Sequence, residues 1–113
     1  MVTIENFSQT ALSFPETEQH PHFEKVSFRI KNKIFAILAV KQNEAVVKFS
    51  LIDQSVFCAI DRTIIYPVKG SWGKQGWTYI NLKKINKGLI KDVLKTAYCE
   101  VAPKKLSGTL KKV

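Results

Sequence analysis

Arginine is scarce in this chain: two of its eighteen basic residues, Arg29 and Arg62, against sixteen lysines. The commonest base-specific contact to DNA is a bidentate arginine on guanine, so any nucleic-acid binding here is expected to have little sequence preference. Cysteine is limited to Cys58 and Cys99, with no CxxC spacing, which argues against a zinc ribbon or a disulfide framework and predicts two buried thiols. No apolar run approaches the roughly 18 residues of a membrane-spanning helix. The longest runs from Ile34 to Val40. The opening residues MVTIENFSQT lack a basic segment followed by an apolar one, so they do not read as a secretory signal, and a cytoplasmic protein without membrane contact is expected. Phosphate-binding GxxxxGK[ST] and strand-linked GxGxxG patterns are missing. No nucleophile stands next to a base in sequence, and His20 and His22 alone fall short of a metal site. A binding protein with no metal or cofactor is therefore expected, not an enzyme.

The 113 residues suffice for one core, and 45% of them are apolar. Residues 1–103 are expected to form a single α+β domain, with 104–113 as a short basic tail. The net charge of +9 is unevenly spread. Residues 1–61 hold six Lys/Arg and seven Asp/Glu, and residues 62–113 hold twelve and two. Such asymmetry draws polyanions, so the expected partner is nucleic acid or an acidic protein. An AT-rich genome also writes lysine and isoleucine freely, and a merely solvated lysine surface is the competing reading.

Thr3 can cap a helix over about 4–14, with Ile4, Phe7, Ala11 and Phe14 on one face. PETEQHPHF at 15–23 reads as a loop. Val26, Phe28 and Ile30 alternate with Lys25, Ser27, Arg29 and Lys31 as a half-buried strand. A tight connection leads into the central strand 34–40, and a third strand follows over 45–50. Within 51–60, the apolar residues 52, 56, 57 and 60 predict a short helix facing the core. Ile64 to Val68 contains Pro67 and suits an edge strand. A Gly-rich aromatic loop, 71–77, leads into a strand through Leu82. Asn86 caps a last helix to about Val101, with Leu89, Ile90, Val93, Leu94, Ala97 and Val101 inward. The order α-β-β-β-α-β-β-α predicts an antiparallel sheet of about five strands, its N- and C-terminal helices packed on one face and the other face open.

PHF at 21–23, SFRI and KIFA across 27–36, the strand carrying Lys48, WGKQGW at 72–77 and APKKL at 102–106 together resemble the MmcQ/YjbR-like proteins. That resemblance implies a CyaY-like (frataxin-like) α+β fold and membership of a group usually labelled DNA-binding. The acidic first helix through which frataxin-like proteins bind iron has only Glu5 here, so iron binding is not implied.

The candidate contact residues fall in three sets. Arg29, Lys31 and Lys48 should project from the uncovered sheet face. Trp72 offers a flat ring for a base and Lys74 sits beside it, whereas Trp77, which starts a strand, is expected to pack. Lys87, Lys91 and Lys95 form a helical stripe, extended by Lys104 and Lys105, that suits a phosphate backbone. The leading expectation is a nucleic-acid-binding accessory domain acting through this lysine-rich surface. The alternative is a protein-interaction or small-ligand domain using the open sheet face.

Overall fold

A computed structural model describes residues 2–106. Thr3 caps helix α1 (Ile4–Leu12), its hydroxyl accepting from the Asn6 amide at 3.1 Å. Strands β1 (Thr17–His22), β2 (Lys25–Ile30), β3 (Lys33–Ala39) and β4 (Glu44–Lys48) follow as an antiparallel meander. Next come helix α2 (Leu51–Cys58), edge strand β5 (Ile65–Pro67), the four-residue helix α3 (Ser71–Lys74), strand β6 (Trp77–Asn81) and helix α4 (Lys87–Val101). The strands make one sheet in the order β1-β2-β3-β4-β6-β5, with every neighbouring pair antiparallel. This is the expected α+β architecture with six strands in place of five.

The sixth strand is β1, which occupies part of the expected loop 15–23. TEQHPH has no apolar alternation to announce it, and Pro21 argues against a central strand. At the sheet margin neither objection applies, because an edge strand tolerates a proline. The β2–β3 hairpin turns on Lys31 and Asn32, both at positive φ (51° and 66°), the geometry of a type I′ turn.

Strand β3 does not alternate simply. The register skips a residue, so that Phe28 pairs with Ala36 and Arg29 with Ile34. The bulge leaves Phe35 and Ala36 both buried, while Ile34 and Ile37 lie on the opposite face with Arg29 and Ser27. Inward, Phe7 meets Phe28 edge-on at 5.7 Å, and Tyr98 lies between Phe14, stacked at 5.1 Å, and Phe35, edge-on at 5.6 Å. Helices α1 and α4 thus cover one sheet face and leave the other open.

Of the residues expected to turn helix α2 toward the core, only Phe57 does so, stacking on buried Phe49 at 4.9 Å. Ile52 is 77% exposed and Leu51, Val56 and Ile60 are also exposed, whereas Gln54 and Cys58 are buried. The reason is polar. The Gln54 side-chain amide donates to the Gly73 carbonyl (3.0 Å), the Trp77 carbonyl (3.2 Å) and the Thr78 hydroxyl (3.2 Å). Thr78 in turn donates to the Gly76 carbonyl at 2.9 Å. Turning the apolar face inward would forfeit all three bonds, although the Gly73 and Trp77 carbonyls would keep the amides of Gly76 and Val68, and the loss is comparable to the gain from burying an isoleucine.

Tyr98 donates its hydroxyl to the Pro15 carbonyl at 2.7 Å, tying α4 to the segment after α1. Burial pushes the phenol above the ordinary tyrosine value, with the nearby Glu16 carboxylate adding to the effect. A raised pKa means that the unfolded chain releases the proton first. The tyrosine's contribution is therefore complete below about pH 10 and is lost as pH rises through the folded value. Replacing Tyr98 by phenylalanine should cost about 1 kcal/mol at neutral pH through the lost hydrogen bond. Its urea midpoint should then fall less steeply above pH 10 than that of the wild type, which parallel pH series of urea melts would measure.

Candidate nucleic-acid interface

The open sheet face is built by the outward positions of five strands. Ile34 and Ile37 of β3, Val46 of β4 and Trp77 and Tyr79 of β6 share it, since Val46 pairs with both Ile37 and Tyr79. Together with His22, Lys25, Val68 and Trp72 they line a shallow groove of about 320 Å³. Trp72 is 59% exposed and meets Trp77 edge-on at 6.1 Å. Tyr66 and Tyr79 continue the aromatic surface at 5.4 Å, and the Tyr66 hydroxyl donates to Glu44 at 3.1 Å. The β1–β2 turn carries Phe23, at φ +59° and 97% exposed, next to His22 and Lys25, which line the groove.

The segment that presents Trp72 is held from three sides. Gln54 takes the carbonyls of Gly73 and Trp77 from below. The Lys48 ammonium donates to the carbonyls of Phe49 and Gln75. Gly73 and Gly76 let the chain lie against the Val68 and Phe49 carbonyls, where a Cβ would come within 1.8 and 1.9 Å. An exposed indole on so constrained a backbone is preorganised, and ordering it costs little on binding.

The sequence-derived candidates divide between two sides of the molecule. Arg29 and Lys48 lie on the open face as expected, Arg29 donating to the Ser27 hydroxyl at 3.0 Å. Lys48 spends its ammonium on backbone carbonyls. Lys31 sits in the β2–β3 turn and pairs with Glu16 at 2.7 Å. Trp72 and Lys74 are exposed on α3. Lys87, Lys91 and Lys95 project from α4 away from its buried side, which faces the inner side of the sheet. They cannot share a surface with Arg29. Lys104 and Lys105 are exposed in a helical segment together with Leu106, and the rest of the expected tail, 107–113, lies outside the described residues.

Lys25, His22, Phe23 and Tyr79 were not legible as site residues. Their signal is the register that brings β1, β2 and β6 onto one face, and β1 itself reads as loop. Phe23 points into solvent. Trp77 is half-buried on the open face, where it supports Trp72.

For other chemistry, strand order is informative. His20 and His22 lie on β1 at one sheet margin, and α2 with Cys58 packs near β5 at the other. Burial pushes the Cys58 thiol above its ordinary value, only partly offset by Arg62, which disfavours the thiolate. Cys58 is buried, Cys99 is half-buried and neither forms a disulfide. Among the described residues no group of three or more His, Cys, Asp or Glu could hold a metal ion, and no helix is long and apolar enough to cross a membrane.

The sequence profile of the YjbR family matches residues 12–100. The chain belongs to the YjbR family. Among curated proteins none matches significantly. The Deinococcus radiodurans protein DR2400, a crystal structure assigned a DUF419 domain, is similar in fold at a TM-score of 0.77. The two are 16% identical, and the match covers 88% of this chain and 78% of that one. This YjbR chain thus has the resemblance read from PHF, WGKQGW and APKKL. Of those pieces, PHF and WGKQGW lie on or beside the open face.

Proposed function

We infer that this YjbR domain binds nucleic acid through its open sheet face, taking unpaired bases on the aromatic platform and phosphates on the surrounding cations. The observation that carries this reading is the exposed Trp72 braced edge-on by Trp77 over a groove with an aliphatic floor. A base can stack on such a surface whatever its identity, which fits the scarcity of arginine. Lys25 and Arg29 lie on the same face, and Lys69 and Lys74 are exposed to either side of Trp72 in the chain. The domain works as a binding accessory without chemistry of its own. The basic stripe of α4 adds a general positive field and no specific contact.

Fluorescein-labelled oligothymidine, titrated at about 50 mM salt with anisotropy as the readout, tests this against a duplex of equal length. The single strand should bind more tightly. Three or so phosphate contacts should give a salt slope of about −2, at roughly −0.7 per contact for single strands. Replacing Lys87, Lys91 and Lys95 together by glutamine should leave that slope within about half a unit. A slope shallower by about 2 would move the contact to the helical side. No binding of either ligand would remove the nucleic-acid reading and leave the apolar floor of Ile34, Ile37 and Val46 to a protein side chain or a small apolar ligand.

A further inference from the structure

On the opposite side of the molecule, helices α2 and α4 enclose a second groove of about 590 Å³. Phe57, Ile60 and Leu89 give it an apolar floor, with Cys99 beside them. Its wall continues through Ile60 into the exposed stripe Ile52, Val56 and Ile60, spaced i, i+4, i+8 along α2 and the turn that follows it. Gln54 fixes this outward orientation, so the stripe cannot turn into the core without breaking three hydrogen bonds.

The charge around the groove runs against the rest of the protein. Residues 62–113 contain two acidic side chains, Asp92 and Glu100, and both line it, as does Asp53 across from them on α2. Lys95 is the one cation in the lining. Among the described residues the ion pairs are Glu16–Lys31 and Glu18–His20, so none of these three carboxylates is neutralised by one. A chain of net charge +9 thus concentrates negative charge where its exposed apolar side chains cluster.

We propose that the α2–α4 groove docks a basic amphipathic helical segment of a partner protein, its apolar face on Phe57, Ile60 and Val56 and its lysines or arginines on Asp53, Asp92 and Glu100. Helix-in-groove recognition needs this pairing of an apolar channel with complementary rim charge. The site is independent of the sheet face, and a partner bound here leaves Trp72 accessible.

The test uses the full chain and a labelled amphipathic peptide of about fourteen residues, with leucine at i, i+3, i+4 and i+7 and lysine elsewhere. A matching peptide carries glutamate in place of lysine. Bulk electrostatics favours the glutamate peptide on a protein of this charge, so preferential binding of the lysine peptide can only be local. It should bind more tightly, and Asp92→Lys with Glu100→Lys should weaken it about tenfold, as should Val56→Ser with Ile60→Ser. All four positions are exposed, and circular dichroism checks the fold. If the serine variant misfolds, the charge-reversal variant decides alone. Preference for the glutamate peptide, indifference to charge reversal, or a dimer in sedimentation that Val56→Ser disperses would each overturn the proposal, the last by giving the face to a second copy.

Discussion

Replacing Gly76 by alanine should lower the stability of the domain by about 3–5 kcal/mol, at the upper end of single-substitution effects, and most of a small domain's margin. Two penalties coincide there. Gly76 has φ +104°, a conformation that a residue with a side chain rarely adopts, and the new Cβ would sit 1.9 Å from the Phe49 carbonyl oxygen. That oxygen belongs to backbone that cannot step aside cheaply. The Phe49 amide donates to the Gly76 carbonyl at 3.0 Å, and the adjacent Lys48 is in register with Trp77. Relief of the clash therefore means parting β4 from β6 at the point where Trp72 is presented. Gly70 is the control. It has φ +76° and ψ −151° but nothing within 4 Å of its would-be Cβ, so Gly70→Ala should show the backbone term alone, about 1–3 kcal/mol. Urea melts of the two variants measure the difference, and equal costs would mean that the close approach at Gly76 relaxes without consequence.

The same segment shows how far sequence reasoning reached. Trp72 and the two glycines of WGKQGW stand out in the chain because indoles and φ-permissive residues are rare neighbours. What holds them could not be read. Lys48 and Gln54 are polar residues in ordinary positions, one on a strand and one on a short helix. Only the fold shows that both donate to carbonyls of this loop. Gln54 also accounts for the inverted face of α2. Periodicity places Ile52, Val56 and Ile60 inward because it weighs apolar area alone, whereas the structure turns Gln54 inward to bond the α3 segment at the expense of that area.

Strands β2 and β4 and helix α4 were legible because each buries one continuous face, and their periods of 2 and 3.6 survive in the sequence, whereas β3 was legible from the length of its apolar run. The bulge at Phe35 and Ala36 hides inside a run that is apolar throughout, where a skipped residue leaves no trace. Strand β1 has no buried face to declare it, and its existence depends on ladder bonds to β2. For the site, the consequence is that lysine counting points to a different side of the molecule from the proposed aromatic platform. The most basic helix, α4, lies behind the sheet, while the aromatic platform gathers side chains from segments spread between His22 and Tyr79.

Trp72→Ala should weaken oligothymidine binding by about 1–3 kcal/mol, which is roughly 5- to 150-fold in the dissociation constant. The loss should be smaller for duplex DNA, whose bases are already stacked on one another. The salt slope should barely change, because the indole carries no charge and contacts no phosphate. These two features separate a stacking platform from an electrostatic patch: lost charge flattens the slope, and lost stacking lowers affinity at every salt concentration. An abasic strand of equal length sharpens the comparison. It keeps the phosphates and lacks the bases, so wild type and Trp72→Ala should bind it alike. Trp72→Phe should recover part of the affinity, since a smaller ring still stacks. Stability is expected to change by less than about 1 kcal/mol, because most of the indole is already in solvent. If the folded Trp72→Ala protein binds oligothymidine as tightly as the wild type, the base does not rest on this face and the stacking mechanism is wrong, whatever the lysines do.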